Sequence, residues 1–444
     1  MTTKKIHPYI FIILSFLVGI LVGTSLLALP ISSTSGKSFG FVDSLFMATS
    51  AVCVTGLSVM NVSVEMTIFG KIIMAILMEF GGLSFLTIAV FFFTIIGGKI
   101  GVSNRFLLKE ALNQSSVKGI VALVRKIIFI SFGIQTIGVI VNIFALLKYV
   151  DYNFWSALGY SIFHTIAAFN NAGFDIFGSN SMIPFNNDVF INSTTMLLIV
   201  LGGVGFVVLE DIVKCKSFKK LKLHSKIVLI STFTLILLGA FLLKISLNNI
   251  TWLEAFFTSI TCRTAGFSTI DMSNLAPAGY FVIIILMFIG ASPCSTGGGI
   301  KTTTFAIIFL SIVYFARGKK TKAFERSISN AVIVKAFILT TVGIICCLVT
   351  TILVSIIQPE LGTRETLFEV ISAFSTTGLS MGITSSLNSA NKIILCLMMF
   401  FGRIGPLTII GVVNKSWMVE SKENVKYIEE SVIIGWKKVL LLSV

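Results

Sequence analysis

WLEAFFTSITCRTAGFS, residues 252–268, is apolar enough for a membrane and too short to cross one. Its helical part, Trp252–Thr261, ends at a polar break, and Gly266 stands ten residues after Phe256. A helix needs about 20 apolar residues to span a bilayer core, so this segment enters and returns. The same spacing recurs at Phe46/Gly56, Phe163/Gly173 and Phe368/Gly378, where the glycines sit in CVTGLS, NNAGFD and STTGLS. Four copies of one spacing mark an internal duplication. Each glycine is followed by another polar break and then a long apolar run.

The flanking sequence supplies the spans that such a dip requires. Of 444 residues, 55% are hydrophobic and 12% charged, and the mean hydropathy is +0.98. That composition belongs to an integral membrane protein. The strongest runs are Ile10–Leu29, Ile72–Ile96, Ile127–Leu147, Met196–Val213, Ile227–Leu243, Phe281–Ile289 with Phe305–Phe315, Val332–Ile357 and Ile393–Val413. The first is read as a retained span, since it is long and no convincing cleavage site follows it. A second register of glycines, Gly81, Gly202, Gly290 and Gly402, follows the loop glycines by 25, 29, 24 and 24 residues. Small residues in register let helices pack closely.

The fold expected is an all-α integral membrane protein of four pseudo-symmetric repeats, each a span, a re-entrant helix and loop, and a span. That makes eight spans around one central pore. The repeats are 8–97, 118–215, 225–318 and 330–415, with 416–444 as a short amphipathic cytoplasmic tail that lies on the membrane or reaches a dimer interface. Non-helical backbone at membrane depth is tolerated only where it is buried in protein or lines water. Four such loops therefore imply a central aqueous path. Backbone carbonyls ringed on one axis replace the hydration shell of a cation, and Gly permits the positive φ that aims them. The negative dipole ends of the short helices point the same way. The phenylalanines read as packing anchors.

The net charge of +15 resolves into three basic connections: Lys99 to Lys126, Lys214 to Lys226 and Arg317 to Lys335. The alternate connections are nearly free of Lys and Arg, so the basic side is cytoplasmic, along with both termini. The basic residues are a topology and lipid signal, with a cytoplasmic protein partner as the second use, and nucleic acid is not expected. Seven cysteines suggest no disulfide framework; Cys294, Cys346, Cys347 and Cys396 read as small buried hydrophobes. His7, His164 and His224 are scattered and make no metal site. No His-Glu-x-x-His, paired membrane aspartates or Ser/His dyad supports an intramembrane enzyme.

On SAVCVTGLS, AAFNNAGFD, TCRTAGFST and SAFSTTGLS, the chain resembles the Trk/Ktr/HKT superfamily of potassium transporters over about Ile10 to Lys415. Lacking extra spans before Ile10, it looks KtrB-like. The resemblance implies K+ uptake in a bacterial cell membrane, a homodimer with one pore per subunit, and control by a cytoplasmic KtrA-like nucleotide-binding ring. K+ is cargo, and no cofactor is implied in this chain. The implied selectivity filter comprises Val54, Thr55, Gly56 and Leu57; Asn171, Ala172, Gly173 and Phe174; Thr264, Ala265, Gly266 and Phe267; and Thr376, Thr377, Gly378 and Leu379. Sodium-selective plant relatives often carry Ser at the first filter glycine; Gly56 resembles the potassium-preferring pattern. A Na+-coupled or Na+-permeable transporter is the alternative.

Below the filter the repeats diverge. Gly290, Pro293, Ser295, Thr296, Gly297, Gly298, Gly299 and Lys301 interrupt the sixth span, and Pro and Gly do not continue a helix comfortably. The segment is either a flexible gate or a static kink. It is not a phosphate loop, because Ile300 separates Gly299 from Lys301. Arg403 lies mid-span, where a charge requires an interior partner. It forms part of a barrier with the Gly-rich loop, or it pairs with Glu79 or Glu210. Lys301 is expected either to join this barrier or to snorkel to the cytoplasm. Only the third repeat is expected to be broken, and only the fourth to carry the arginine.

Overall fold

A computed structural model describes residues 8–96, 100–111, 117–149, 152–178 and 181–405. The tail 416–444 and the end of the fourth expected repeat, 406–415, lie outside the described residues. Four helices are long and apolar enough to cross a membrane: Tyr9–Leu27, Ile120–Leu146, Leu223–Ser246 and Asn330–Ile357. They are apolar on nearly every side, and large side chains such as Val18, Ile137, Phe233 and Ile356 stay exposed. A helix apolar all round belongs in lipid or in a core. The exposed faces of these four are their lipid-facing surface.

Each long helix packs on the short helix that follows it: Phe41–Val52, Phe154–Phe169, Trp252–Thr261 and Thr363–Ser375. Local chemistry fixes where the third begins. Thr251 and Glu254 form a reciprocal capping box that satisfies two otherwise orphaned amides. Returning helices follow at Ile68–Leu83, Val189–Val204, Pro277–Phe288 and Ser389–Ile404. Side-chain caps from Thr67, Asp188 and Asn388 start three of them. Each returning helix packs against the next short helix in chain order, and the fourth packs against the first. The packing is therefore a closed ring of four segments.

Polar ties cross every join of that ring. Glu79 accepts hydrogen bonds from Asn170 (2.6 Å) and from Gln135. Asn186 donates to Glu254 at 3.1 Å. The Tyr280 hydroxyl donates to the Arg364 carbonyl at 2.7 Å, with the Arg364 guanidinium over the Tyr280 ring. Lys392 pairs with Asp43 at 2.6 Å and links the fourth segment to the first.

The structure corrects the expectation that only the third segment is broken. The first returning helix bends by 95° into Thr87–Ile95, and the second bends by 96° into Phe206–Cys215. Both turn three residues beyond the register glycine, at Ser84 (φ 71°) and Gly205 (φ 101°). Gly405 holds φ 85° at the matching place in the fourth, and Cys294, one position further along, holds φ 57° in the third. The continuous runs Ile72–Ile96 and Met196–Val213 concealed these corners, because apolar residues continue on both sides of each. By length and composition the described chain has four straight spans, or six with each bent pair counted once. The sixth expected span consists of Pro277–Phe288 and Thr302–Ala316, joined by the Gly-rich segment.

Candidate functional site

The short helices deliver their C-terminal ends to one place, where four loops turn alike. Gly56, Gly173, Gly266 and Gly378 have φ of 95, 69, 83 and 88°. Val54, Asn171, Thr264 and Thr376, two residues earlier in each loop, also have positive φ although none is glycine. Such a conformation costs an L residue about 1–2 kcal/mol, and it is found here four times in register. It folds the residue before each glycine back toward its helix. The amides of Thr55, Ala172 and Thr377 bond to the carbonyls of Ser50, Ala167 and Ser372 at 2.8–2.9 Å, and Ala265 bonds to Thr261 at 2.9 Å.

The carbonyls of those same four residues then face the neighbouring glycines. A Cβ added to Gly56 would meet the Ala172 oxygen at 2.7 Å, one on Gly173 the Ala265 oxygen at 2.8 Å, and one on Gly266 the Thr377 oxygen at 2.5 Å. A Cβ on Gly378 would collide with the Thr55 oxygen, which closes the circle. Each loop thus requires glycine for two reasons, positive φ and the approach of its neighbour's backbone. The side chains of the expected filter residues are withdrawn: Val54, Thr55, Leu57, Asn171, Ala172, Phe174, Thr264, Ala265, Phe267, Thr376, Thr377 and Leu379 are buried. The anchoring phenylalanines Phe46, Phe163 and Phe368 are buried as well. Phe256 is only half-buried, and Phe257 is fully buried beside it.

On one side of the glycines lies a polar cavity of about 360 Å³, lined by all four of them. Ser58, Asp175, Ser268, Asp271 and Ser380 stand around it. The hydroxyl and backbone N–H of Ser273 hold the Asp271 carboxyl below its usual range, so this mouth is anionic.

On the other side the second register of glycines receives the helix ends. No Cβ fits between Gly81 and the Val52 carbonyl, Gly202 and the Phe169 carbonyl, or Gly402 and the Phe374 carbonyl. The third segment differs, since Gly290 meets the carbonyl of Gly298 instead. The Gly-rich segment is folded in under the ring: Cβ atoms on Gly297 and Gly298 would strike Thr264 and Thr376, and Gly299 lies against Ser375. Its backbone is tied to the second segment's corner. The amides of Ser292 and Thr296 bond to the carbonyls of Gly203 (3.1 Å) and Gly202 (3.3 Å), and that of Phe206 to the Cys294 carbonyl (2.9 Å). The Pro293 carbonyl sits against Gly205, and Ser295 donates to the Ser292 carbonyl.

Arg403 reaches this same segment from the fourth returning helix. Its guanidinium donates to the carbonyl of Thr296 on one side and to those of Gly81 and Gly82 on the other. A planar fork with several fixed donors suits such bridging. Its partners are backbone oxygens, not the carboxylates of Glu79 or Glu210. Glu79 is held by Gln135 and Asn170, and Glu210 pairs with Lys126 at 2.9 Å. Lys301 does not snorkel; it donates to the Gly297 carbonyl at 2.8 Å. The positive-φ set of Val54, Thr264 and Thr376 escaped sequence reasoning, because nothing in these residue types advertises it. Gln135 carried a weak signal as a lone amide in an apolar run. Of the cysteines expected in apolar surroundings, Cys347 and Cys396 are buried, and Cys294 and Cys346 half-buried.

A helical bundle with lipid-facing spans, closing four backbone loops around one opening, belongs to the class of membrane transport proteins and not to the enzymes. The family model for TrkH, a cation transport protein, matches residues 4–427, and the chain belongs to that family. It is 38% identical to Ktr system potassium uptake protein D of Bacillus subtilis, over 97% of this chain and 98% of that one. It is 37% identical to the potassium/sodium uptake protein NtpJ of Enterococcus hirae, with the same coverage. Ktr system potassium uptake protein B of Vibrio alginolyticus is 37% identical, over 96% of this chain and 94% of its own. Among solved structures, the potassium transporter TrkH of Vibrio parahaemolyticus shares the fold with a TM-score of 0.72 at 17% identity. That match covers 94% of this chain and 87% of that one.

Proposed function

We propose that this chain is the K+-translocating membrane subunit of a Ktr-type uptake system. The observation that carries the reading is the closed circle of glycines and carbonyls, Gly56 to Ala172, Gly173 to Ala265, Gly266 to Thr377 and Gly378 to Thr55. Four fixed backbone oxygens around one opening are a dehydrated cation's replacement shell. On this reading the four segments are pseudo-symmetric repeats with eight spans, and the sixteen loop residues named above form the filter. The potassium uptake named for the B. subtilis and V. alginolyticus relatives supports K+ as cargo.

The Gly-rich segment and Arg403 form the gate. They lie directly beneath the filter loops, and Arg403 ties the segment to the first returning helix by hydrogen bonds to backbone carbonyls alone. The lysine-rich connections support a cytoplasmic position for the basic side and both termini. There a KtrA-like nucleotide-binding ring would act on the gate. The chain functions as a homodimer, with one pore per subunit. Expression in a bacterium lacking K+ uptake tests the proposal. Growth at low K+ supports it, and failure to grow both with and without a co-expressed regulatory ring counts against it.

A further inference from the structure

The residue two places beyond each ring glycine is Ser58, Asp175, Ser268 or Ser380. All four line one cavity that opens over the glycines. The hydrogen bonds of the three hydroxyls share a direction. Ser58 donates to the Met60 carbonyl, Ser268 to the Ile270 carbonyl and Ser380 to the buried Glu369 carboxylate. A hydroxyl has one proton and two lone pairs. With the proton committed to the protein, each oxygen faces the cavity as an acceptor. Backbone amides of Met60 and Gly382 occupy one lone pair on Ser58 and Ser380; Ser380 also pairs with Thr384 at 3.0 Å, so the freer acceptors are Ser58 and Ser268. The fourth member is the Asp175 carboxyl, whose pKa burial pushes up to about 6 and which already accepts from Ser181 and the Phe177 backbone; ionised at neutral pH, it is a negatively charged acceptor.

We propose that Ser58, Asp175, Ser268 and Ser380 form an outer cation site, a second ring of oxygens that takes a partly hydrated monovalent ion before it enters the carbonyl ring. This rests on the filter reading and deepens it. Hard monovalent cations are recognised by oxygen donors, and hydroxyls of fixed polarity with one carboxylate can hold an ion that keeps part of its water. The ring is asymmetric, and Asp175 sets its affinity. It loads the mouth at low external concentration and does not choose between ions of equal charge.

K+ uptake by the full-length chain in cells, measured against external K+, tests this. Asp175→Asn is expected to raise the half-saturating concentration roughly fivefold, as fits a unit charge acting through a wet mouth, with maximal velocity retained. Asp175→Glu is expected to stay near wild type. A merely structural role would lower the maximal velocity or the amount of protein and leave half-saturation unmoved. Should Asp175→Asn not reach the membrane, Ser268→Ala is measured instead and is expected to raise half-saturation by a smaller factor. Unchanged half-saturation in whichever variant accumulates overturns the outer site. Wild-type chain that fails to take up K+ overturns the filter reading itself.

Discussion

Replacing Arg403 by Ala is expected to open the pathway. The guanidinium makes three hydrogen bonds to backbone carbonyls, and one of them, to Thr296, holds the Gly-rich segment. A hydrogen bond from a charged donor contributes about 1.5–3 kcal/mol. Loss of that tie alone shifts the balance toward a displaced segment by roughly 10- to 150-fold. The other ties, through Gly202, Gly203 and the Cys294 carbonyl, remain. If the wild type is displaced for about 1% of the time, the gain in flux is about tenfold to sixtyfold, because the open fraction saturates. Removal of a positive charge beside the path acts in the same direction. The assay is Rb+ uptake into proteoliposomes containing the purified chain, with its melting temperature and size-exclusion profile recorded. Arg403→Lys keeps the charge but loses the fork, and is expected to give an intermediate flux. A variant that melts like wild type yet shows unchanged or lower flux refutes the assignment of this segment as the gate.

Gly56→Ser is expected to lower the K+/Na+ permeability ratio, since its Cβ would press on the Ala172 oxygen; paired uptake assays read this directly. Glu79→Gln would set an amide opposite the Gln135 and Asn170 donors, and thermal melts in detergent should show a loss of about 1–3 kcal/mol. Thr251→Ala removes the capping box of the third short helix and should cost about 0.5–2 kcal/mol in the same melts, with ion preference unchanged.

The alternation of long and short apolar helices was legible because it follows from length and hydropathy. Trp252–Thr261 is too short to cross, and a four-fold spacing leaves little freedom for the loops. The glycines were legible because the backbone needs them twice over, for φ and for room. The corners at Ser84 and Gly205 were not. An apolar run reads the same whether it crosses straight or turns, and Ser84 adopts positive φ without being glycine. The partners of Arg403 were hidden for a related reason. Backbone carbonyls exist at every residue, so a search for opposite charge pointed to Glu79, which two amides had already satisfied. Asp175 stood in plain view within NNAGFD, but nothing in the sequence says that it shares one cavity with Ser58, Ser268 and Ser380.

The pairing of Lys392 with Asp43 has a bearing on biosynthesis. These residues lie 349 positions apart, and they join the last returning helix to the first short one. A ribosome making this chain releases the first loop long before its neighbour across the join exists. Until the fourth segment is inserted, Gly378 cannot meet the Thr55 oxygen, and the opening lacks one wall. The nascent protein therefore has no closed ring of loops before its last segment is made. Insertion of the last segment completes both the wall and the seam.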